Sequence, residues 1–150
     1  TFTETLEELK NTFDLDIKNI DTEFIAREKV HEEILKCDCL YLPLGFHTPV
    51  QKEVEVVIPT RMMDYLPAGK PIITHGPDYC WMIRHAKRKG WGFTIDSLEE
   101  GIVLKMLKEF IGLQDYSDLI EKALIEAKRR DSYIISKNLS NILSESSKGN

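Results

Sequence analysis

The stretch from Cys39 to Asp96 determines the fold, and it contains the apolar run Leu40-Tyr41-Leu42-Pro43-Leu44, the segment Ile58-Pro59-Thr60-Arg61-Met62-Met63-Asp64-Tyr65-Leu66 and the run Ala68-Gly69-Lys70-Pro71-Ile72-Ile73. The almost continuous apolar character of the first run is typical of a parallel strand that is covered on both faces. Open α/β sheets build nucleotide sites from a strand that ends at a glycine-containing loop and a following helix with an inward carboxylate. This order of elements therefore predicts a nucleotide-binding α/β sheet.

Strands and helices alternate along the rest of the chain. We predict strands at 20–25, 40–44, 72–74 and 93–95. We predict helices at 3–13, 27–37, 59–69, 79–89 and 97–112, and only the helical pattern continues from Tyr116 onward. Such alternation indicates βαβ units with parallel pairing. The predicted fold is a partial doubly wound α/β sheet of about four strands, with flanking helices and a helical C-terminal tail.

Composition and charge limit the class of protein. The chain has 150 residues, of which 42% are hydrophobic and 30% are charged, as in an ordinary soluble globular domain. Its net charge of −5 argues against a nonspecific nucleic-acid partner, because such binding depends on clustered Lys and Arg. No apolar run approaches the ~20 residues that a membrane span needs. We expect a cytoplasmic protein that binds no nucleic acid.

The cysteine and histidine residues do not form a metal motif. Cys37, Cys39 and Cys80 are too few for a disulfide framework and fit a reducing compartment. A closed zinc site needs four ligands, and Cys37-x-Cys39 has no matching Cys or His pair at a usual spacing. The sequence therefore predicts neither a metal site nor a cofactor.

Parallel topology predicts where a ligand binds, because ligands in such sheets lie outside the carboxyl ends of the strands. In the loop after the second predicted strand, Gly45 allows close approach of the backbone, and Thr60 begins a helix whose free N–H groups suit a phosphate. Asp64, one turn further, has a carboxylate that can accept hydrogen bonds from two ribose hydroxyls. The alternative is that Asp64 is only a polar residue on a short exposed helix.

The same segments resemble retaining GT-B glycosyltransferases of the glycosyl transferases group 1 family. The likeness rests on Leu42-Pro43-Leu44 and on residues 58–72, and it extends through His75-Gly76-Pro77 and Gly90-Trp91-Gly92. It implies the later part of a C-terminal, Rossmann-like domain that binds the nucleotide sugar. In that scheme residues 1–113 form the partial domain, 114–147 are C-terminal helices packed on it, and 148–150 are a frayed tail.

The resemblance also implies roles for individual residues. Asp64 stands where the family has an acidic residue, usually Glu, that contacts the donor ribose. In the family this is the second of two Glu residues separated by seven, and the first position is occupied by Val56 here. Thr60 and Arg61 follow the family pattern near the phosphate or ribose, and Ala26 would lie near the base. The loop that would face the sugar consists of Gly45, Phe46, His47 and Thr48.

The resulting hypothesis is the donor-binding domain of a glycosyltransferase. The enzyme would move a sugar from a nucleotide diphosphate sugar to a glycan, lipid or small-molecule acceptor with retention of configuration, as in polysaccharide biosynthesis. Such enzymes have an N-terminal domain that completes the cleft, so a piece without that domain is expected to be inactive. The resemblance also allows peripheral membrane association of the full-length protein. It assigns no catalytic residue in this chain.

Two other functions fit the same sheet, because a fold does not determine a function. One is a noncatalytic α/β interaction module that uses Phe46, Tyr65 and Trp91 as partner contacts. The other is a sugar-nucleotide epimerase, which shares the two-domain architecture. Large exposed aromatic side chains near the Gly45 loop would favour the interaction module.

Overall fold

The computed structural model describes residues 24–47, 51–131 and 134–137. Contacts divide the chain into two units, Thr1–Val30 and His31–Asn150. In the first unit the described residues include the 3-10 turn Arg27–Lys29. The predicted helix at 3–13 lies outside the described residues. The sheet belongs to the second unit.

The regular elements alternate as an α/β protein requires. The strands are β1 (Leu40–Pro43), β2 (Ile72–His75) and β3 (Phe93–Ile95). The helices are α1 (Val30–Lys36), α2 (Gln51–Val54), α3 (Thr60–Tyr65), α4 (Trp81–Lys89), α5 (Glu100–Ile111) and α6 (Ser117–Arg129). A 3-10 turn, Leu66–Ala68, extends α3, and residues 134–137 are helical. Within these ranges no helix combines the length and apolar character that a membrane crossing requires.

The three strands form one parallel sheet in the order β1-β2-β3. Leu40 pairs with Ile72 and Pro43 with His75, and His75 pairs in turn with Ile95. The predicted mixed α/β class with a parallel sheet is thus confirmed. The predicted strand at 20–25 lies mostly outside the described residues, and its described end, residues 24–25, is not part of a strand.

Each face of the sheet contributes to the core, as expected for a sheet between helices. On one face Leu40 and Leu42 are buried, together with Ile72 and Thr74 of the neighbouring strand. On the other face Ile73 and Ile95 form a cluster with Phe110 of α5. In β1 the residues of this second face, Tyr41 and Pro43, are exposed. On this second face the edge strand β1 is therefore covered less completely than β2 and β3.

Glycine residues end two helices where the sequence predicts an end. Gly69 follows the 3-10 turn after α3 with φ of 66°, and Gly90 follows α4 with φ of 70°. In this left-handed region a side chain would be strained, so glycine is the favoured residue. The Gly90 N–H donates to the carbonyl oxygen of Ala86 at 2.7 Å and closes the last turn of α4.

Ser97 and Glu100 have the spacing of a capping box at the start of the helix predicted at 97–112, but the box is not formed, and this part of the prediction is wrong. Helix α5 begins at Glu100 with Glu99 at its N-cap and without a side-chain cap. The Ser97 hydroxyl instead accepts a hydrogen bond from the Glu99 N–H at 3.0 Å. The Ser97 carbonyl oxygen lies 2.8 Å from His75 Nε2, so Ser97 belongs to the loop after β3 rather than to the helix.

A buried polar cluster connects α4 to α6. Glu126 of α6 is 5% exposed, and Arg130 donates to its Oε1 from Nε at 3.0 Å. His85 of α4 lies beside the same carboxylate, with Nε2 3.4 Å from Oε1. Trp81 stacks on the His85 ring with 4.4 Å between centroids. These contacts hold α6 against α4.

Candidate functional site at the carboxyl edge of the sheet

The carboxyl ends of the three strands are aligned at one edge. Pro43, His75 and Ile95 are successive partners in the strand register, and each is the last residue of its strand. The loops that follow these strands therefore leave the sheet side by side. This is the edge at which ligands bind in open α/β sheets.

Hydrogen bonds tie the loop after β1 to the beginning of α4. The Tyr79 hydroxyl donates to the carbonyl oxygen of Phe46 at 2.9 Å, and the Trp81 N–H donates to that of Glu55 at 3.1 Å. The Arg84 guanidinium donates to the carbonyl oxygens of Tyr79 and Glu55. Both ends of the long loop between β1 and α3 are thus held at the carboxyl edge.

His75 connects all three strands at this edge. Its Nδ1 lies 2.6 Å from the hydroxyl oxygen of Tyr41 on β1, and its Nε2 lies 2.8 Å from the carbonyl oxygen of Ser97 after β3. The ring of Phe46 meets the imidazole edge-on, with centroids 5.3 Å apart. One side chain from β2 therefore contacts β1 on one side and the loop after β3 on the other.

Gly76 permits a close approach between the first two loops. A Cβ atom at this position would lie 2.9 Å from Leu44 Cβ and 3.4 Å from the side chain of Ile83. The Gly76 N–H donates to the carbonyl oxygen of Ile95 at 3.1 Å and continues the pairing with β3 past the end of β2. The absence of a side chain lets the chain turn from β2 toward α4 at this point.

Helix α3 carries three of the predicted site residues. The helix contacts β1, and its carboxyl end leads through the 3-10 turn and Gly69 to the start of β2, so its amino end points toward the carboxyl edge. Thr60, Arg61 and Asp64 are exposed, and in the described part of the chain their side chains make no hydrogen bond or ion pair. The carboxylate of Asp64 is available to a ligand.

One detail of the predicted phosphate site differs. The N–H of Met62, in the first turn of α3, donates to the carbonyl oxygen of Pro59 at 3.0 Å. It is therefore not among the free N–H groups that the sequence predicts around Thr60. Helix α3 has six residues, and its short length limits what the aligned peptide dipoles contribute to anion binding.

The remaining predicted residues fall into three groups. Gly45 and His47 are exposed in the loop after β1, where Phe46 is partly buried against His75. Thr48 lies outside the described residues. Ala26 belongs to the first unit, in which its carbonyl oxygen accepts a hydrogen bond from the Lys29 N–H at 2.8 Å.

Two residues of this edge were missed as site residues by the sequence reasoning. Tyr41 sits inside the apolar run of β1, where it reads as a core residue, and yet its side chain is 48% exposed. Ser97 reads as a helix cap. The available signal for Tyr41 was its hydroxyl, because a tyrosine in a strand usually finds a hydrogen-bond partner for this group.

The electrostatic character of the edge is mild. Partial burial raises the pKa of the Tyr41 phenol above its usual value, so the hydroxyl keeps its proton. Asp96, after β3, forms an ion pair with Lys87 of α4, with Oδ2 and Nζ 2.5 Å apart. Among the residues that the structure describes, His, Cys, Asp and Glu do not gather into a group that could hold a metal ion.

The partner contacts predicted for the alternative interaction module are wrong in one residue. Trp91, expected there as a partner contact, is 0% exposed, and its indole N–H donates to His85 Nδ1 inside the core. It cannot contact a partner. Phe46 and Tyr65 are partly buried.

Comparisons of the chain with protein-family models, with curated proteins and with solved structures found no match.

Proposed function

We propose that this chain contributes the donor-binding part of a glycosyltransferase, which transfers a sugar from a nucleotide diphosphate sugar to an acceptor with retention of configuration. The observation that carries the proposal is the arrangement at the carboxyl edge. Three parallel strands end there in register, and α3 runs away from the edge with Asp64 exposed one turn along it. Open α/β sheets bind nucleotides at this edge.

The residues near the amino end of α3 suit a nucleotide. Asp64 can accept hydrogen bonds from two neighbouring ribose hydroxyls, and Arg61 and the Thr60 hydroxyl can donate to phosphate oxygens. The exposed residues Gly45 and His47 follow β1 at the same edge. In the proposal they face the sugar, and the catalytic groups and the acceptor cleft come from another domain.

Binding of nucleoside diphosphates to the intact protein tests the proposal. UDP, GDP and ADP are titrated by calorimetry into the wild type and into Asp64→Asn. A carboxylate bonded to ribose hydroxyls contributes roughly 1.5–3 kcal/mol, so the variant is expected to raise the dissociation constant about tenfold to about a hundredfold. Glu109→Gln, which neutralises an exposed carboxylate on α5, serves as the control and leaves the constant unchanged. Equal affinities of Asp64→Asn and wild type would remove Asp64 from the site.

A specific observation favours protein binding as a second candidate function. Three consecutive apolar residues between α2 and α3 are exposed: Val56 by 72%, Val57 by 46% and Ile58 by 41%. Exposed apolar patches often mark interaction surfaces. If they serve this purpose, sedimentation of the protein should reveal self-association that Val56→Glu abolishes, and no nucleoside diphosphate should bind. Monomers that bind nucleotide would reject this candidate.

A further inference from the structure

We infer that Tyr41, His75 and Phe46 form a binding platform for a neutral sugar ring, in which the Tyr41 hydroxyl oxygen accepts a hydrogen bond from a sugar hydroxyl. This inference deepens the proposed function, on which it rests, by assigning a sugar-binding role to Tyr41 and His75, beside Phe46 of the loop that the family resemblance places against the sugar. Its support comes from three features: the direction of the hydrogen bonds, the exposure of Tyr41 and the aromatic surroundings.

The hydrogen bonds around His75 have one consistent direction in the neutral ring. The Ser97 carbonyl oxygen, 2.8 Å from Nε2, can only accept, so Nε2 carries the hydrogen and donates. In the neutral imidazole, Nδ1 is then the acceptor, and the Tyr41 hydroxyl donates to it over 2.6 Å. The hydroxyl hydrogen of Tyr41 is therefore used in the hydrogen bond to His75 and is not available to a ligand.

A ligand at Tyr41 must therefore offer a donor. The phenol oxygen keeps lone pairs that can accept, and about half of the Tyr41 side chain is open to solvent. An ionised phosphate has only acceptor oxygens and finds no partner there. A sugar hydroxyl, which can donate, fits this position.

The surroundings of the hydroxyl are aromatic and apolar. The rings of Tyr41 and His75 have centroids 6.0 Å apart, and Phe46 packs edge-on against His75 from the next loop. Pro43, on the same face of β1, is exposed. Ligand sites commonly combine such apolar surface with a few placed polar groups. A pyranose ring, with apolar C–H faces and hydroxyls at its rim, matches this combination.

The test compares nucleotides with and without their sugar. Dissociation constants are measured for UDP and UDP-glucose, and for GDP and GDP-mannose, with wild type and with Tyr41→Phe. Loss of one neutral hydrogen bond predicts a roughly threefold to tenfold weaker binding of the nucleotide sugar, with unchanged binding of the nucleoside diphosphate. Tyr116→Phe removes a hydroxyl that bonds the Phe110 carbonyl oxygen, and it is the matched control that alters neither constant. Thermal unfolding checks that each variant is folded.

A second measurement tests this inference independently of the proposed function. It also distinguishes binding of a sugar attached to a nucleotide from binding of a free sugar. The ring nitrogen resonances of ¹⁵N-labelled His75 are followed while methyl glucoside or methyl mannoside is added. A shift in the wild type that is lost in Tyr41→Phe supports the platform even if no nucleotide binds, and in that case the proposed function fails alone. If nucleoside diphosphates bind but Tyr41→Phe affects no sugar-bearing probe, the platform is rejected and the proposed function stands.

Discussion

The indole N–H of Trp91 donates a hydrogen bond to Nδ1 of His85 over 2.8 Å inside the core. Because indole is only a donor, Nδ1 accepts, and the hydrogen of the neutral ring sits on Nε2, which faces Glu126 Oε1 at 3.4 Å. Arg130 meets the same oxygen from Nη2 at 2.9 Å. The cluster is satisfied as long as His85 is neutral, since a proton on Nδ1 would face the indole N–H.

Acid should therefore destabilise the fold through His85. Burial lowers the pKa of His85, and Arg130, Arg88 and Lys89 act in the same direction against the opposing effect of Glu126. The unfolded chain thus binds this proton more tightly than the folded one, and the free energy of unfolding falls as the pH drops below about 6.5. The loss is complete once the pH lies below the folded pKa. One proton contributes at most about 1.4 kcal/mol per pH unit.

Urea denaturation between about pH 5 and about pH 8 measures this effect. His85→Gln keeps an acceptor for Trp91 and a donor toward Glu126 but does not titrate. Its free energy of unfolding should fall less than that of the wild type on acidification. Parallel pH profiles of the two proteins would contradict the assignment to His85.

Glu126→Gln should be strongly destabilising. The buried carboxylate interacts with Arg129, Arg130 and His85, so its loss leaves the partly buried Arg130 guanidinium without its counter-charge. Breaking a buried pair typically costs 3–5 kcal/mol, and the partial exposure of Arg130 places the expected loss near the lower end, at about 3 kcal/mol. Chemical denaturation measures it.

Asp118→Asn is the control for that variant. Asp118 pairs with Lys122 on the exposed side of α6, with Oδ2 and Nζ 2.5 Å apart. Exposed pairs contribute about 0–1 kcal/mol. Similar losses for Glu126→Gln and Asp118→Asn would show that burial of the carboxylate does not matter for stability.

Gly76→Ala should disturb the carboxyl edge. The added Cβ would meet the backbone-proximal Leu44 Cβ at 2.9 Å, which a simple side-chain rotation cannot relieve. Overpacking of this kind typically costs about 1–3 kcal/mol. Gly45→Ala, where a Cβ would meet nothing within 4 Å, should be neutral or slightly stabilising. Thermal and urea unfolding compare the two, and a neutral Gly76→Ala would mean that the loops can separate without loss.

Tyr79→Phe should loosen the loop after β1. The variant removes the hydrogen bond from the Tyr79 hydroxyl to the carbonyl oxygen of Phe46, which contributes about 1 kcal/mol. Hydrogen exchange of amides at 44–47 should accelerate. Tyr65→Phe, whose hydroxyl makes no hydrogen bond with the described residues, should leave the exchange unchanged. Equal exchange in Tyr79→Phe and wild type would show that this bond does not hold the loop.

Much of the fold follows from signals that act over a few residues. The segments predicted as strands at 40–44, 72–74 and 93–95 form β1, β2 and β3 to within one residue at their ends, and Gly69 and Gly90 end helical segments because both adopt a positive φ. These features depend on side-chain type and on neighbouring backbone, so a reader of the sequence can locate them. The short helix that carries the exposed Asp64 can also be located from the sequence in this way.

The composition of the edge depended instead on contacts between distant parts of the chain. Tyr41 and His75 are 34 residues apart and meet only because β1 and β2 pair in parallel in one register. Ser97 has the local pattern of a helix cap, but its carbonyl oxygen lies against His75, and α5 begins two residues after the predicted cap would place it. Local pattern therefore accounts for strands, helix ends and the exposed carboxylate. The Tyr41–His75–Ser97 arrangement follows from strand register, because a one-residue shift would turn the side chain of Tyr41 or His75 to the opposite face.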